Sequence, residues 1–178
     1  MFNKYIVSYV QVSKSVPMDD LDVLYGCVRS VRKTFGSPTA GNEAKRLYFI
    51  APILVCVGLL LTDVEIEVEE SMKGNRIRAY GQFEFVLRRG DNRVCIAEAK
   101  TNDIEKGLAQ ALMGCETIAD VESVECVHCI ITNFLVWNFV NSKDDVIELH
   151  ETHMQLIDGI PTRTSLGEIV GKICALLC

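Results

Sequence analysis

Gly81–Gln82–Phe83–Glu84–Phe85–Val86–Leu87, followed by Arg93–Val94–Cys95–Ile96–Ala97–Glu98–Ala99–Lys100, decide how this chain is read. Each is a short apolar run that carries an acid, and the second ends in Glu-x-Lys. Successive side chains of a strand point to opposite faces, so Glu98 and Lys100 share one. If the two runs pair as a hairpin through Arg88–Arg89–Gly90–Asp91–Asn92, Glu84 can lie beside Glu98 on that face. Two carboxylates and an ammonium at one sheet end make a site for a hard cation with a proton-handling group beside it.

On either side the pattern changes from period two to helical spacing. Glu43 opens a helical stretch whose run from Leu47 to Leu61 is almost wholly apolar, and Asn42 is placed to cap it. Pro52 should kink or break that helix. Val64–Glu65–Ile66–Glu67–Val68–Glu69 alternates strictly, with a row of acids expected to face water. After Lys100, a helix from about Asp103 to Ala119 starts at Asn102 or Asp103 as a cap and contains Glu105–Lys106–Gly107–Leu108–Ala109–Gln110–Ala111–Leu112. Val124 to Thr132, Phe134 to Val140 and Val146 to Leu149 read as strands. Nearer the N-terminus, a strand-like opening precedes a helix after Pro17, with Leu21, Leu24, Val28 and Val31 at helical spacing and Asp19 or Asp20 as its cap. A last helix, capped by Thr164 or Ser165, should run through Leu176. The order predicts an α/β fold, a mixed central β-sheet flanked by helices, in a single domain over residues 1–178.

The arrangement resembles the PD-(D/E)xK nuclease superfamily, the restriction-endonuclease-like fold. Glu43 stands as the family's first-helix acid, Glu84 stands where the family usually has Asp, and Glu98–Ala99–Lys100 matches the (D/E)xK tripeptide. Gln110 stands where the following helix often carries a Gln. The resemblance covers about residues 41–141. More narrowly, Phe-Glu-Phe-Val-Leu and Ala-Glu-Ala-Lys, followed by Gln-Ala-Leu, look like the nuclease-type domains of crinkler effector proteins and their mobile-element relatives.

That resemblance implies a metal-dependent endonuclease acting on DNA with Mg²⁺ or Mn²⁺. Glu84, Glu98 and the Ala99 carbonyl would hold the metal, with Glu43 completing the shell or binding a second ion. Such a metal acidifies bound water and offsets charge that builds on the phosphate. Lys100 would position or deprotonate the attacking water, or stabilise that charge; Gln110 would face the scissile phosphate or its water. Taken alone, Glu-x-Lys is equally a salt-bridged pair at a sheet margin, Glu43 an acid at a helix start, and Gln110 a group satisfying a buried carbonyl. Glu in place of Asp at position 84 lengthens the ligand by one methylene. A catalytically inactive binding or effector module of the same fold, or an RNA-cleaving enzyme, therefore stand as alternatives. Arg88, Arg89 and Arg93, around the turn, are candidates for phosphate contact.

Composition sets the frame. The chain has 178 residues, 49% of them hydrophobic, and a formal net charge of −6, which argues against disorder and against a passive nucleic-acid coat. The start, Met-Phe-Asn-Lys-Tyr-Ile-Val, lacks the features of a secretory leader. Its eight cysteines lie mainly in apolar runs and are read as reduced thiols, in a cytoplasmic or nuclear setting; a crinkler-like protein would act in a host nucleus. Cys126–Val127–His128–Cys129 has no second ligand pair at zinc spacing. The apolar run is too short to span a membrane, so no membrane partner is expected. A homodimer is compatible with the sequence.

Overall fold

A computed structural model describes residues 5–40, 44–73, 80–90, 92–98, 104–122, 126–143 and 146–178. In chain order the elements are β1 (Tyr5–Ser8), α1 (Met18–Phe35), α2 (Ala44–Leu60), β2 (Glu65–Lys73), β3 (Tyr80–Arg89), β4 (Asn92–Glu98) and α3 (Ile104–Glu122). There follow β5 (Cys126–Thr132), β6 (Val136–Lys143), β7 (Val146–His153), β8 (Leu156–Ile157), β9 (Ile160–Pro161) and α4 (Arg163–Leu176).

Seven strands form one mixed sheet in the order β1-β7-β6-β5-β4-β3-β2. β2, β3 and β4 make an antiparallel meander, and Gly90 turns the β3–β4 hairpin at φ 56°, a conformation that favours glycine. α3 then carries the chain over to β5, which runs parallel to β4. The pair is buried on both faces: Val94, Ile96 and Ile130 belong to one core, Cys129 and Ile131 to the other. That is why these segments read as continuous apolar runs. β5, β6 and β7 form a second meander, and β1 joins β7 in parallel at the far edge.

The larger core lies between one sheet face and α1, α2 and α4. The smaller lies under α3 on the other face. α1 buries Leu21, Leu24 and Val28, the spacing the sequence shows. Its N-cap is Pro17 rather than Asp19 or Asp20, which lie in the first turn and offset the positive helix end. α2 is not broken at Pro52, which lies inside the continuous helix. Proline in a helix interior costs about 3 kcal/mol. Phe49, Ile50, Ile53, Leu54 and Val57 are buried on the same helix, at roughly 1.5–3 kcal/mol per large apolar side chain, so packing wins. α4 starts earlier than expected. Thr162 is its cap, accepting from the Ser165 amide at 3.2 Å. The short β8–β9 ribbon was not anticipated, although Asp158–Gly159 is a hairpin signal; both residues have positive φ, 53° and 74°. Among the described residues, no helix is long and apolar enough to cross a membrane.

Candidate active site

β3 and β4 pair from Arg89↔Asn92 back to Phe85↔Ile96. Beyond that last pair stand Glu84 on one strand and Ala97–Glu98 on the other, at the end away from the turn. Glu98 pairs in register with Thr132 of β5, and Thr132 with Trp137 of β6. Ile96, Ile130 and Trp137 all belong to the larger core. Alternation therefore puts Glu98 on the sheet face covered by α1, α2 and α4.

Glu84 needs a separate argument. Counted back from Val86, strict alternation would put it on the α3 face, opposite Glu98. The strand does not alternate strictly here. Phe83 and Val86, three residues apart, both pack into the α3-side core, whereas Phe85 and Leu87 belong to the other. Alternation is lost between Phe83 and Phe85, where the half-buried Glu84 stands, while the β2–β3 register is the same on either side. α3 packs against this stretch. Phe83 lies so close to Gly114 that a Cβ there would stand 2.5 Å from the ring. Gln110 is placed one helical turn before Gly114, so its position on α3 lies toward the Glu84 strand.

The start of α2 belongs to the Glu98 side. Phe49 meets Phe134, just past the end of β5, with ring centroids 5.2 Å apart. The turn between β5 and β6 is heavily bonded. Phe134 is fully buried with φ 75°, an outlier for a bulky residue. Thr132 Oγ1 accepts from the Phe134 amide at 2.9 Å, and Asn133 Oδ1 accepts from the amides of Leu135 and Val136 at 3.0 and 2.8 Å. The Trp137 indole N–H donates to the Phe134 carbonyl at 2.9 Å. Strand patterning, which ran the next strand from Phe134, gives no signal for this turn or for Arg46, buried in the first turn of α2. Strained, over-determined backbone of this type concentrates at functional sites.

Glu43, Ala99 and Lys100 lie outside the described residues, and for Glu98 and Gln110 the description covers the backbone. The structure thus brings together the strands of Glu84 and Glu98, with the start of α2 over the Glu98 face.

The arginines stand elsewhere. Arg88, Arg89 and Arg93 flank the turn, four to five residues, roughly 13–17 Å, along the strands from the two acids. Arg88 Nε lies 3.1 Å from Glu67 Oε2, so the acidic row of β2 is not left wholly to solvent. Arg89 Nε donates to Asp63 Oδ1 at 2.6 Å, and its Nη1 reaches the Leu177 carbonyl and Cys178 Sγ. The hydrogen bond from Arg89 holds the Asp63 carboxyl below its ordinary value, and Asp63 in turn raises Arg89. Two of the three phosphate-contact candidates are thus engaged in ion pairs.

Other titratable groups lie apart. Along β5, Cys129 belongs to the α3-side core, whereas neighbouring His128 turns to Asn141 at 2.7 Å, so the two cannot converge on one ion. Lys172, 4% exposed on α4, bonds to His150 Nε2, Thr152 Oγ1 and Glu168 Oε1. His150 Nδ1 lies 3.0 Å from the Tyr9 carbonyl and must donate to it, which leaves Nε2 to accept from Lys172. All three ammonium donors are satisfied, and the network ties α4 and β7 to the N-terminal segment.

No family model matches the sequence. Among curated proteins, the chain is 43% identical over 170 residues to Crinkler effector protein 5 of Phytophthora infestans, an alignment that covers 95% of this chain and 49% of that protein. Over nearly its whole length the chain is therefore similar to a crinkler effector protein, of which it spans about half.

Proposed function

We propose that this chain is a metal-dependent nuclease domain of a crinkler-like effector, hydrolysing DNA phosphodiesters with Mg²⁺ or Mn²⁺. The observation that carries the reading is the end of the β3–β4 hairpin. There Glu84 of β3 stands just past the last β3–β4 pair, Phe85↔Ile96, beside the strand that ends in Glu98. The donors proposed there, the carboxylates of Glu84, Glu98 and Glu43 with the Ala99 carbonyl, are all oxygen, the chemistry these cations take. When bound, the metal would acidify a water and offset charge on the phosphate. Glu84 and Glu98 would hold that centre at the open end of the hairpin. Lys100, two residues after Glu98 in the sequence, would orient or deprotonate the attacking water, or bind the charged phosphate oxygens. Gln110 stands on α3, which covers the sheet face opposite α2, and would have to reach the phosphate around the open end of the hairpin. The similarity to an effector supports action inside a host cell, including its nucleus.

A second reading, a catalytically silent binding module of the same fold, draws on Arg88 and Arg89. Their ion pairs with Glu67 and Asp63 leave the hairpin turn poorer in free cations than a strand-binding surface requires. One experiment separates the two. Plasmid, single-stranded DNA and RNA are incubated with Mg²⁺, Mn²⁺ or EDTA, using wild type and Lys100→Ala, each checked by thermal melt. Cleavage that needs the metal and falls about 10²-fold or more in Lys100→Ala is the expected result. Equal cleavage by both proteins removes Lys100 from the chemistry, and no cleavage of any substrate favours the silent module. RNA cut in place of DNA selects the ribonuclease alternative.

A further inference from the structure

Away from the hairpin, the last turns of α1 and the β8–β9 ribbon enclose a pocket of about 490 Å³. That volume lies within the range of small-molecule sites, roughly 300–1,000 Å³. Arg29, Arg32 and Lys33 line it, with Asp158 the acid among its lining residues, in a chain whose net charge is −6. We propose that this pocket binds a phosphate group.

Basic residues in a last helical turn are ordinarily explained by the helix dipole. Two features go beyond that explanation. Arg29 belongs to the preceding turn and yet lines the same pocket. Arg32 Nε is buried with no hydrogen-bond partner, an uncompensated donor on a charged group. Its guanidinium is seated against Gly159, where a Cβ would stand 3.4 Å from both Nε and Nη2. The positive φ of Asp158 and Gly159 closes the turn tightly over the arginine. A phosphate bridging Arg32 and Arg29 would gain charge-assisted bonds from the guanidinium groups that line the pocket, the geometry their fork favours. Three cations against one carboxylate leave an excess suited to an anion of charge −1 to −2. The group could arrive on a free phosphate compound or on a nucleic-acid strand. The proposal does not depend on the nuclease reading, because its test reads binding in EDTA.

The test is a thermal-shift titration of the full chain, in EDTA, with sodium pyrophosphate against sodium chloride of equal ionic strength. A saturable rise in Tm beyond the chloride control is expected. Arg32→Gln and Arg29→Gln should each weaken the apparent affinity on the order of ten-fold. Asp158→Asn removes the opposing carboxylate and suits the left-handed backbone there; it should tighten binding, a gain that misfolding cannot imitate. A labelled single-stranded oligonucleotide, followed by anisotropy, identifies the source. Binding weakened by Arg32→Gln and competed by pyrophosphate indicates a strand phosphate; oligonucleotide binding indifferent to Arg32 indicates a free phosphate compound. No saturable shift beyond chloride, or a shift that all three substitutions leave unchanged, overturns the proposal.

Discussion

Asn133 carries more of the local structure than its place between two strands suggests. Its side chain accepts from two backbone amides beside a buried phenylalanine held at positive φ. Leaving those amides unpaired should cost about 1–3 kcal/mol, so Asn133→Ala should lower Tm by roughly 2–10 °C for a chain of this size. If the turn also supports the candidate site, the variant should lose any cleavage activity at temperatures where it remains folded. The cysteines give a second test at this scale. Burial is the main cause that pushes the Cys56 and Cys174 thiols from 9.0 up to about 11, whereas Cys27 and Cys178 are exposed. Mass spectrometry after iodoacetamide treatment at pH 8 should find Cys27 and Cys178 labelled and Cys56 and Cys174 protected until the protein unfolds. The sign for stability follows. The folded state favours the protonated thiols, so their contribution is complete below pH 9 and is lost as pH rises towards about 11. Rapid native labelling of Cys56 would contradict this.

Among the elements, α3 and β3 are coupled at one glycine. A methyl group at position 114 would meet the ring of Phe83, which is 1% exposed and so has no free space into which to swing. Overpacking at such a contact costs about 1–3 kcal/mol. Gly114→Ala should therefore lower stability by that amount and shift Phe83, the residue before Glu84. On the nuclease reading it should also weaken Mn²⁺ binding, measured by calorimetry, more than Gly26→Ala does. Gly26 has open space around it. Equal metal affinity in the two variants would detach the α3 contact from the site.

At the scale of the whole molecule, the segment between β1 and α1 straps the far edge of the sheet to α4. The Tyr9 amide donates to the Leu149 carbonyl, the Lys14 amide to the Gly171 carbonyl, and Ser13 Oγ to the Glu168 carbonyl. His150 donates to the Tyr9 carbonyl and so holds the Lys172 network beneath. At ~0.5–1.5 kcal/mol per hydrogen bond, these four bonds are worth about 2–6 kcal/mol, and deleting residues 1–16 should cost more than that because the pairing of β1 with β7 is lost with them. Hydrogen exchange followed by mass spectrometry should show lost protection in α4 and β7, with β3, β4 and α3 little changed. Uniform loss across the sheet would mean that the edge and the hairpin unfold as one unit.

Periodicity alone determined the elements that matter most. Alternation in Glu65–Glu69 and Phe83–Leu87, the turn at Gly90, and helical spacing through Leu21, Leu24 and Val28 are local signals, and each element formed where its residues dictate. The hairpin that joins Glu84 to Glu98 was legible for the same reason. What the alternating pattern could not carry was its own exception. Phe83 leaves the face of Phe85 and meets Gly114, a contact between residues far apart in sequence. Pro52 marks a break by local rules, yet the helix continues because its neighbours are buried against the sheet. Arg88 and Arg89 look free in the sequence, but Glu67 and Asp63 arrive beside them through the β2–β3 pairing and the preceding loop. Local chemistry fixes which conformation a segment prefers. Which groups face one another, and so which charges remain available for a ligand, is decided by long-range packing.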